Sequence, residues 1–106
     1  MKRGDIIWSD LGGDAGRRPV CVLTRNAAIQ VLNAVTCAPI TRTVRAIDSE
    51  VLVSTEEGLP GLSAITCDNI ITIPKSLLQE HPIGSLSFFK REELDRALRF
   101  ALDIQF

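Results

Sequence analysis

The hydrophobic period changes once along this chain, and that change bounds the fold. Through most of the sequence, apolar residues alternate with polar ones or run together in short stretches broken by glycine and proline, which is the pattern of strands. Only near the end does a helical period take over. Leu94, Ala97, Leu98, Ala101 and Leu102 fall at i, i+3, i+4, i+7 and i+8, one stripe on one helix face. Ser87 stands ahead of it as an N-cap, and Glu92 and Glu93 complement the positive helix start, so a helix is expected from about Lys90 to Asp103. Several short strands and one closing helix predict a mainly β fold, a small and strongly bent antiparallel sheet or open barrel with the helix packed on it.

The strand pattern can be placed in more detail. Residues 5–11 alternate, with Ile6 and Trp8 on one face and Asp5, Ile7 and Ser9 on the other. Gly12-Gly13-Asp14-Ala15-Gly16 is a turn that leads to a strand over 19–24, where Pro19 in first position removes no ladder bond that matters. A helical turn is expected over 25–30, a long apolar strand over 33–40 and a further alternating strand from Ser49 to Ser54. Gly58-Leu59-Pro60-Gly61 is a turn, and Ala64 to Ile73 reads as one largely apolar strand region. Pro74 suits the first position of a short helix through about Glu80, ended by His81-Pro82 because the residue before proline avoids helical angles. With no repeats, linkers or low-complexity segments, residues 1–106 are expected to form a single domain.

Composition narrows the class. At 45% hydrophobic and 24% charged residues the chain is not of the disordered type. The net charge of −1 excludes the global basic field of a general nucleic-acid binder. Any nucleic-acid binding must come from a local patch, and Arg3, Arg17, Arg18, Arg25, Arg42 and Arg45 all lie in the first half. The N-terminal segment has no apolar signal region and no run approaches the roughly 20 apolar residues that span a bilayer, so a cytoplasmic protein without membrane association is expected. Cys21, Cys37 and Cys67 each sit among apolar residues and read as reduced core thiols. With no C-x-x-C pair and His81 the only histidine, no metal or cofactor is expected. His81 itself reads as a surface or capping residue before Pro82.

Two segments carry candidate chemistry. Gly16-Arg17-Arg18-Pro19-Val20-Cys21-Val22-Leu23-Thr24 places a fixed positive charge where a loop enters a strand. Val31 to Thr41 places a hydroxyl where the next strand leaves. An arginine and a threonine so placed can converge on one phosphate, a minimal site for cutting RNA. Arg42 and Arg45 flank the loop after Thr41, either tracking phosphate or simply solvated. Trp8 reads mainly as a core residue of its strand, with stacking on a nucleobase as the alternative.

Taken in order, Met1-Lys2-Arg3-Gly4-Asp5-Ile6-Ile7-Trp8, Arg17-Arg18-Pro19-Val20, Ala38-Pro39-Ile40-Thr41, Cys67-Asp68-Asn69-Ile70 and Thr72-Ile73 resemble the MazF/PemK family of toxin endoribonucleases across nearly the whole chain. The resemblance implies the small SH3-like barrel shared with the gyrase poison CcdB, a homodimer, and metal-independent, sequence-selective cleavage of single-stranded RNA. It also implies a cognate antitoxin whose extended tail covers the RNA groove, and DNA binding together with that antitoxin. The family's active arginine directly precedes the proline, which is Arg18 here, and its active hydroxyl falls on Thr41. Cleavage by the RNA's own 2′-hydroxyl passes through a pentavalent phosphorus with extra charge on its non-bridging oxygens. A guanidinium clamps two of those oxygens and a hydroxyl donates to charge as it develops.

A guanidinium with pKa above about 12 is a poor base, so a carboxylate is the more reasonable proton acceptor. Asp68 falls where PemK-type members carry a functional aspartate and is the candidate; the other reading of Asp68-Asn69 is a turn pair bonding its own backbone. Arg17, Arg42, Asn69 and Asp14 are candidates for holding the substrate. The chain departs from the family in its first loop, which is short and has neither the usual glutamate nor histidine, leaving Asp14 as its only acidic residue. Thr66 also stands where PemK-type members carry an arginine. That glycine-rich loop is expected to be mobile without ligand and to give a looser sequence preference. Two rival functions stay open at this point: a CcdB-like gyrase poison, disfavoured by the Asp103-Ile104-Gln105-Phe106 end, and a non-catalytic barrel that binds RNA or a protein.

Overall fold

The computed structural model describes residues 1–14 and 16–105. Its strands are β1 (Asp5–Asp10), β2 (Arg17–Val22), β3 (Ala34–Thr41), β4 (Glu50–Val53), β5 (Ser63–Thr66), β6 (Ile71–Pro74) and β7 (Gly84–Ser85). A short helix, α1 (Asn26–Ile29), links β2 to β3, and α2 (Phe88–Leu102) closes the described chain. The strands form one antiparallel sheet in the order β4-β5-β3-β2-β1-β7, with β6 added to β3. This is the mainly β, bent-sheet architecture with a C-terminal helix that the sequence pattern predicts. Ser87 caps α2 as expected, its hydroxyl accepting from the Lys90 N–H at 3.2 Å, and the helix starts two residues before Lys90.

The alternation in β1 does not separate an inner from an outer face. Ile6 and Ile7 are both fully buried because the curled sheet has core on each side. Ile6 packs with Cys21, Ala38, Ile65 and the α2 residues Leu94 and Ala97. Ile7 packs with Val20, Val35, Ile73 and Ile29, the last supplied by α1. The polar residues caught on the second face are satisfied: Asp5 accepts from the Lys2 N–H and the Ser85 hydroxyl, and Ser9 donates to the Arg18 carbonyl.

Three expectations are corrected. The second strand begins at Arg17 and ends at Val22, so Pro19 is its third residue, opposite Trp8. The expected single strand from Ala64 to Ile73 is two strands, because they pair with different parts of β3. β5 pairs with Ile40 and Thr41, while β6 pairs with Ala34 to Cys37. Two residues separate these ladders on β3 and five separate them on the other side. The surplus is taken up by a single 3-10 turn over Cys67–Asn69. The short helix expected from Pro74 to Glu80 shrinks to a 3-10 turn over Lys75–Leu77, since Leu78 is drawn out into a bridge with Ser9.

The sheet curls until its two end strands meet. The turn after β4 reaches β7, and the contact is backbone on backbone: a Cβ on Gly58 would overlap the carbonyl of Ile83, and one on Gly84 the carbonyl of Glu57. Gly58 also has φ +89°.

The three cysteines are buried as expected. Burial pushes the Cys37 thiol up to about 12 and the Cys67 thiol up to about 11, and raises Cys21 as well. In the unfolded chain these thiols ionise near 9.0, so above that pH the unfolded state loses protons the native state keeps. Stability should therefore be complete below about pH 9 and fall above it, by about 1.4 kcal/mol per thiol per pH unit. Urea midpoints taken from pH 8 to 10.5 should show this decline, and Cys67→Ala should flatten it by one thiol's share. A midpoint that does not move with pH, or an unchanged slope in the variant, refutes this.

Candidate active site

The site originates in a parting of strands. β2 and β3 pair through Val22–Cys37, Cys21–Ala38 and Val20–Pro39, and there their ladder stops. β3 continues into its ladder with β5 at Ile40 and Thr41. Pro39, which has no N–H to donate, falls in the gap between the β3–β6 and β3–β5 ladders. Two residues beyond the last pair stand Arg18 on β2 and Thr41 on β3. Because side chains alternate across a strand, both point to the face of Val20 and Pro39. They line a single groove of about 650 Å³.

Each side chain is positioned by its neighbours. The buried Ser9 hydroxyl donates to the Arg18 carbonyl at 2.8 Å, fixing the backbone from which the guanidinium projects. The Thr41 oxygen accepts from the Thr43 N–H at 3.1 Å, so its own proton is directed to another acceptor, such as a phosphate oxygen. Glu50 Oε1 accepts from both the Arg45 and Ala46 N–H groups at 3.0 Å, which holds the loop after Thr41 in shape. The groove is lined by Arg17, Arg18, Arg42 and Arg45, against one carboxylate, Glu50. A chain of net charge −1 thus carries a concentrated positive patch where the strands part.

The structure gathers Arg17, Arg18, Thr41, Arg42 and Asn69 around this groove. It does not bring Asp68 or Asp14 there. Asp68 sits on the 3-10 turn with its carboxylate accepting from the Ser49 hydroxyl, while its neighbour Asn69 reaches the groove. Asp14 is exposed at the tip of the first loop. Within that loop Leu11 N–H donates to the Gly16 carbonyl and Gly16 N–H to that of Gly12, both at 3.0 Å; Ala15 lies outside the described residues. Trp8, read from sequence mainly as core, is only half-buried and lines the groove. Glu50 was missed, and Thr66, which the sequence marks only as a departure from the family's arginine, also lines the groove. Their signal was present in the alternation of the 49–54 strand, since Glu50 stands opposite Thr66 at the end that faces the groove. Among the described residues no three His, Cys, Asp or Glu side chains are placed to hold a metal ion, and no helix is long and apolar enough to cross a membrane.

Residues 2–102 match the family described as PemK-like, MazF-like toxin of type II toxin-antitoxin system. The chain belongs to that family. It is 33% identical over 102 residues to the probable endoribonuclease MazF5 of Mycobacterium tuberculosis, covering 95% of this chain and 92% of the relative. The structure of the M. tuberculosis toxin MazF-mt6 superposes with a TM-score of 0.88 at 37% identity, covering 96% of this chain and 99% of the other. An endoribonuclease in complex with its cognate antitoxin, from a mycobacterial species, superposes with a TM-score of 0.86 at 26% identity, covering 100% and 98%. The family match runs from before β1 to the end of α2. That membership sets aside the gyrase-poison alternative.

Proposed function

We propose that this chain is the RNA-cutting toxin of a type II toxin–antitoxin pair, a metal-independent endoribonuclease acting on single-stranded RNA. The observation that carries this reading is the placement of Arg18 and Thr41 on one face of the same positive groove. In the reaction the 2′-oxygen bonds to phosphorus and gives up its proton. The bond from phosphorus to the 5′-oxygen breaks, and that oxygen takes a proton. The products are a 2′,3′-cyclic phosphate and a 5′-hydroxyl. Arg18 donates in parallel to two non-bridging oxygens, and the Thr41 hydroxyl supplies a further donor. These donors stabilise the charge that a metal ion would otherwise meet, so cleavage of a long RNA should persist in excess EDTA. Loss of all activity in EDTA overturns the metal-free mechanism.

Glu50 is the carboxylate on the groove and our candidate for accepting the 2′-hydroxyl proton, in place of Asp68, which supports the turn that presents Asn69. Glu50→Gln keeps an oxygen for the Arg45 and Ala46 N–H groups and removes only the base. It should lower cleavage by about 10² and flatten the acid limb of the pH–rate profile, whereas Asp68→Asn should lose less than about tenfold. A larger loss in Asp68→Asn returns the role to Asp68.

The toxin acts in the cytoplasm as a homodimer whose groove a cognate antitoxin closes. Dimerisation is supported by Val31, Leu32, Ile71 and Leu77, exposed around the β6 side of the sheet. Sedimentation at micromolar concentration should give a mass near twice 11.6 kDa; a monomer would contradict it.

A further inference from the structure

Among the described residues the indole of Trp8 is the one aromatic surface lining the groove, and a planar cation already rests on it. The Arg17 guanidinium lies over the ring, 4.8 Å from its centroid. Strand register explains the contact. Trp8 pairs with Pro19 and Asp10 with Arg17, so Trp8 and Arg17 stand diagonally on one face of the β1–β2 hairpin. They continue outward from the pair Ile6–Cys21, which belongs to the core. The carboxylate of Asp10, directly opposite Arg17, accepts instead from the Gly12 N–H at 3.2 Å. Arg17 is exposed and Trp8 half-buried, so the guanidinium can leave the ring into solvent without displacing a core residue.

We propose that Trp8 and Arg17 form a base clip in which a nucleobase of the bound strand takes the guanidinium's place on the indole and Arg17 moves to a neighbouring phosphate. The inference rests on the endoribonuclease reading above and names how that site grips its substrate. A guanidinium and a nucleobase are both flat and both stack on an indole, so one can replace the other without rebuilding the groove. The displaced guanidinium then matches phosphate geometry with paired donors. Every base has a π-face, so the clip adds affinity without reading sequence. Unstacked single-stranded RNA satisfies it and a duplex does not.

Trp8 is the only tryptophan in the sequence, so its emission reports directly on the clip. The probe is a mixed-sequence 2′-O-methyl RNA of about ten nucleotides, which has no free 2′-hydroxyl to attack, compared with an abasic strand of equal length. The base-bearing strand should quench Trp8 emission and the abasic strand should not. By anisotropy of labelled strands, Trp8→Leu should weaken binding by roughly tenfold or more and Trp8→Phe by less. Arg17→Gln leaves the indole in place; it should retain the quenching but lower the slope of log affinity against log salt by about 0.7, one phosphate's worth for a single strand. Binding with unchanged Trp8 emission, wild-type affinity in Trp8→Leu and Trp8→Phe, or an unchanged salt slope in Arg17→Gln overturns the clip, while RNA cleavage by the wild type would leave the endoribonuclease reading intact. A protein that neither binds the strand nor cuts long RNA overturns both.

Discussion

Replacing Arg18 by alanine should reduce RNA cleavage by about 10² or more, and Thr41→Ala should do the same, with the fold intact in each case. The size follows from what the groups do. A preorganised donor aimed at charge that appears only in the transition state contributes about 10²–10³ in rate. Neither substitution opens the core: Arg18 is exposed at the start of β2 and Thr41 only half-buried at the end of β3. Arg18→Lys should recover part of the loss, because an ammonium restores the charge without the fork that spans two oxygens. The double variant should lose less than the product of the single losses, since both groups act on one phosphate. Initial rates on a long RNA, beside thermal melts, check all four. Wild-type rates in both alanine variants would remove the Arg18–Thr41 site from the mechanism.

The largest effect on stability should come from a single methyl group. Gly58→Ala places a Cβ against the Ile83 carbonyl on a backbone with φ +89°, and Gly84→Ala places one against the Glu57 carbonyl. Neither neighbour is a side chain that can turn away, so one end of the curled sheet must move off the other. A strained left-handed position costs about 1–3 kcal/mol by itself, and separating the two backbones adds to it in Gly58→Ala. That variant should lose about 3 kcal/mol or more, a large share of the 5–15 kcal/mol that holds an ordinary domain together. Gly61→Ala is the control, because nothing stands within 4 Å of its added Cβ. Equal denaturation midpoints for Gly58→Ala and Gly61→Ala would show that the closure carries no stability.

Local pattern disclosed the elements better than their partners. The α2 stripe and its Ser87 cap were legible because a helix makes its bonds within itself. The break at Cys67–Asn69 was not, since it arises from two ladders on β3 whose registers differ, and no residue in the segment announces it. The same reason hid the surroundings of Asp68: the motif marks the residue, but only the turn decides that Asn69 reaches the groove and Asp68 meets Ser49. Trp8, which the pattern reads as core, is half-buried on the groove. Alternation distinguishes two faces without saying which is covered, and in a curled sheet the core lies on both while the groove opens at the strand ends. Arg18 and Thr41 were readable because each lies within two residues of a proline at an end of an apolar run, where a strand begins or leaves its partner.

The ladders that hold β3 also govern how such a gene can change. β3 is gripped by β2, β5 and β6 at once. Adding or deleting one codon anywhere from Ala34 to Ile40 would turn Thr41 to the opposite side of the sheet as well as misplacing the core. The segment from Arg42 to Ser49 carries no ladder and borders the groove, so insertions and deletions there leave the phosphate site standing. Length can therefore change beside the groove, where it alters what is gripped, while a one-residue change within Ala34–Thr41 removes the Thr41 hydroxyl from the site.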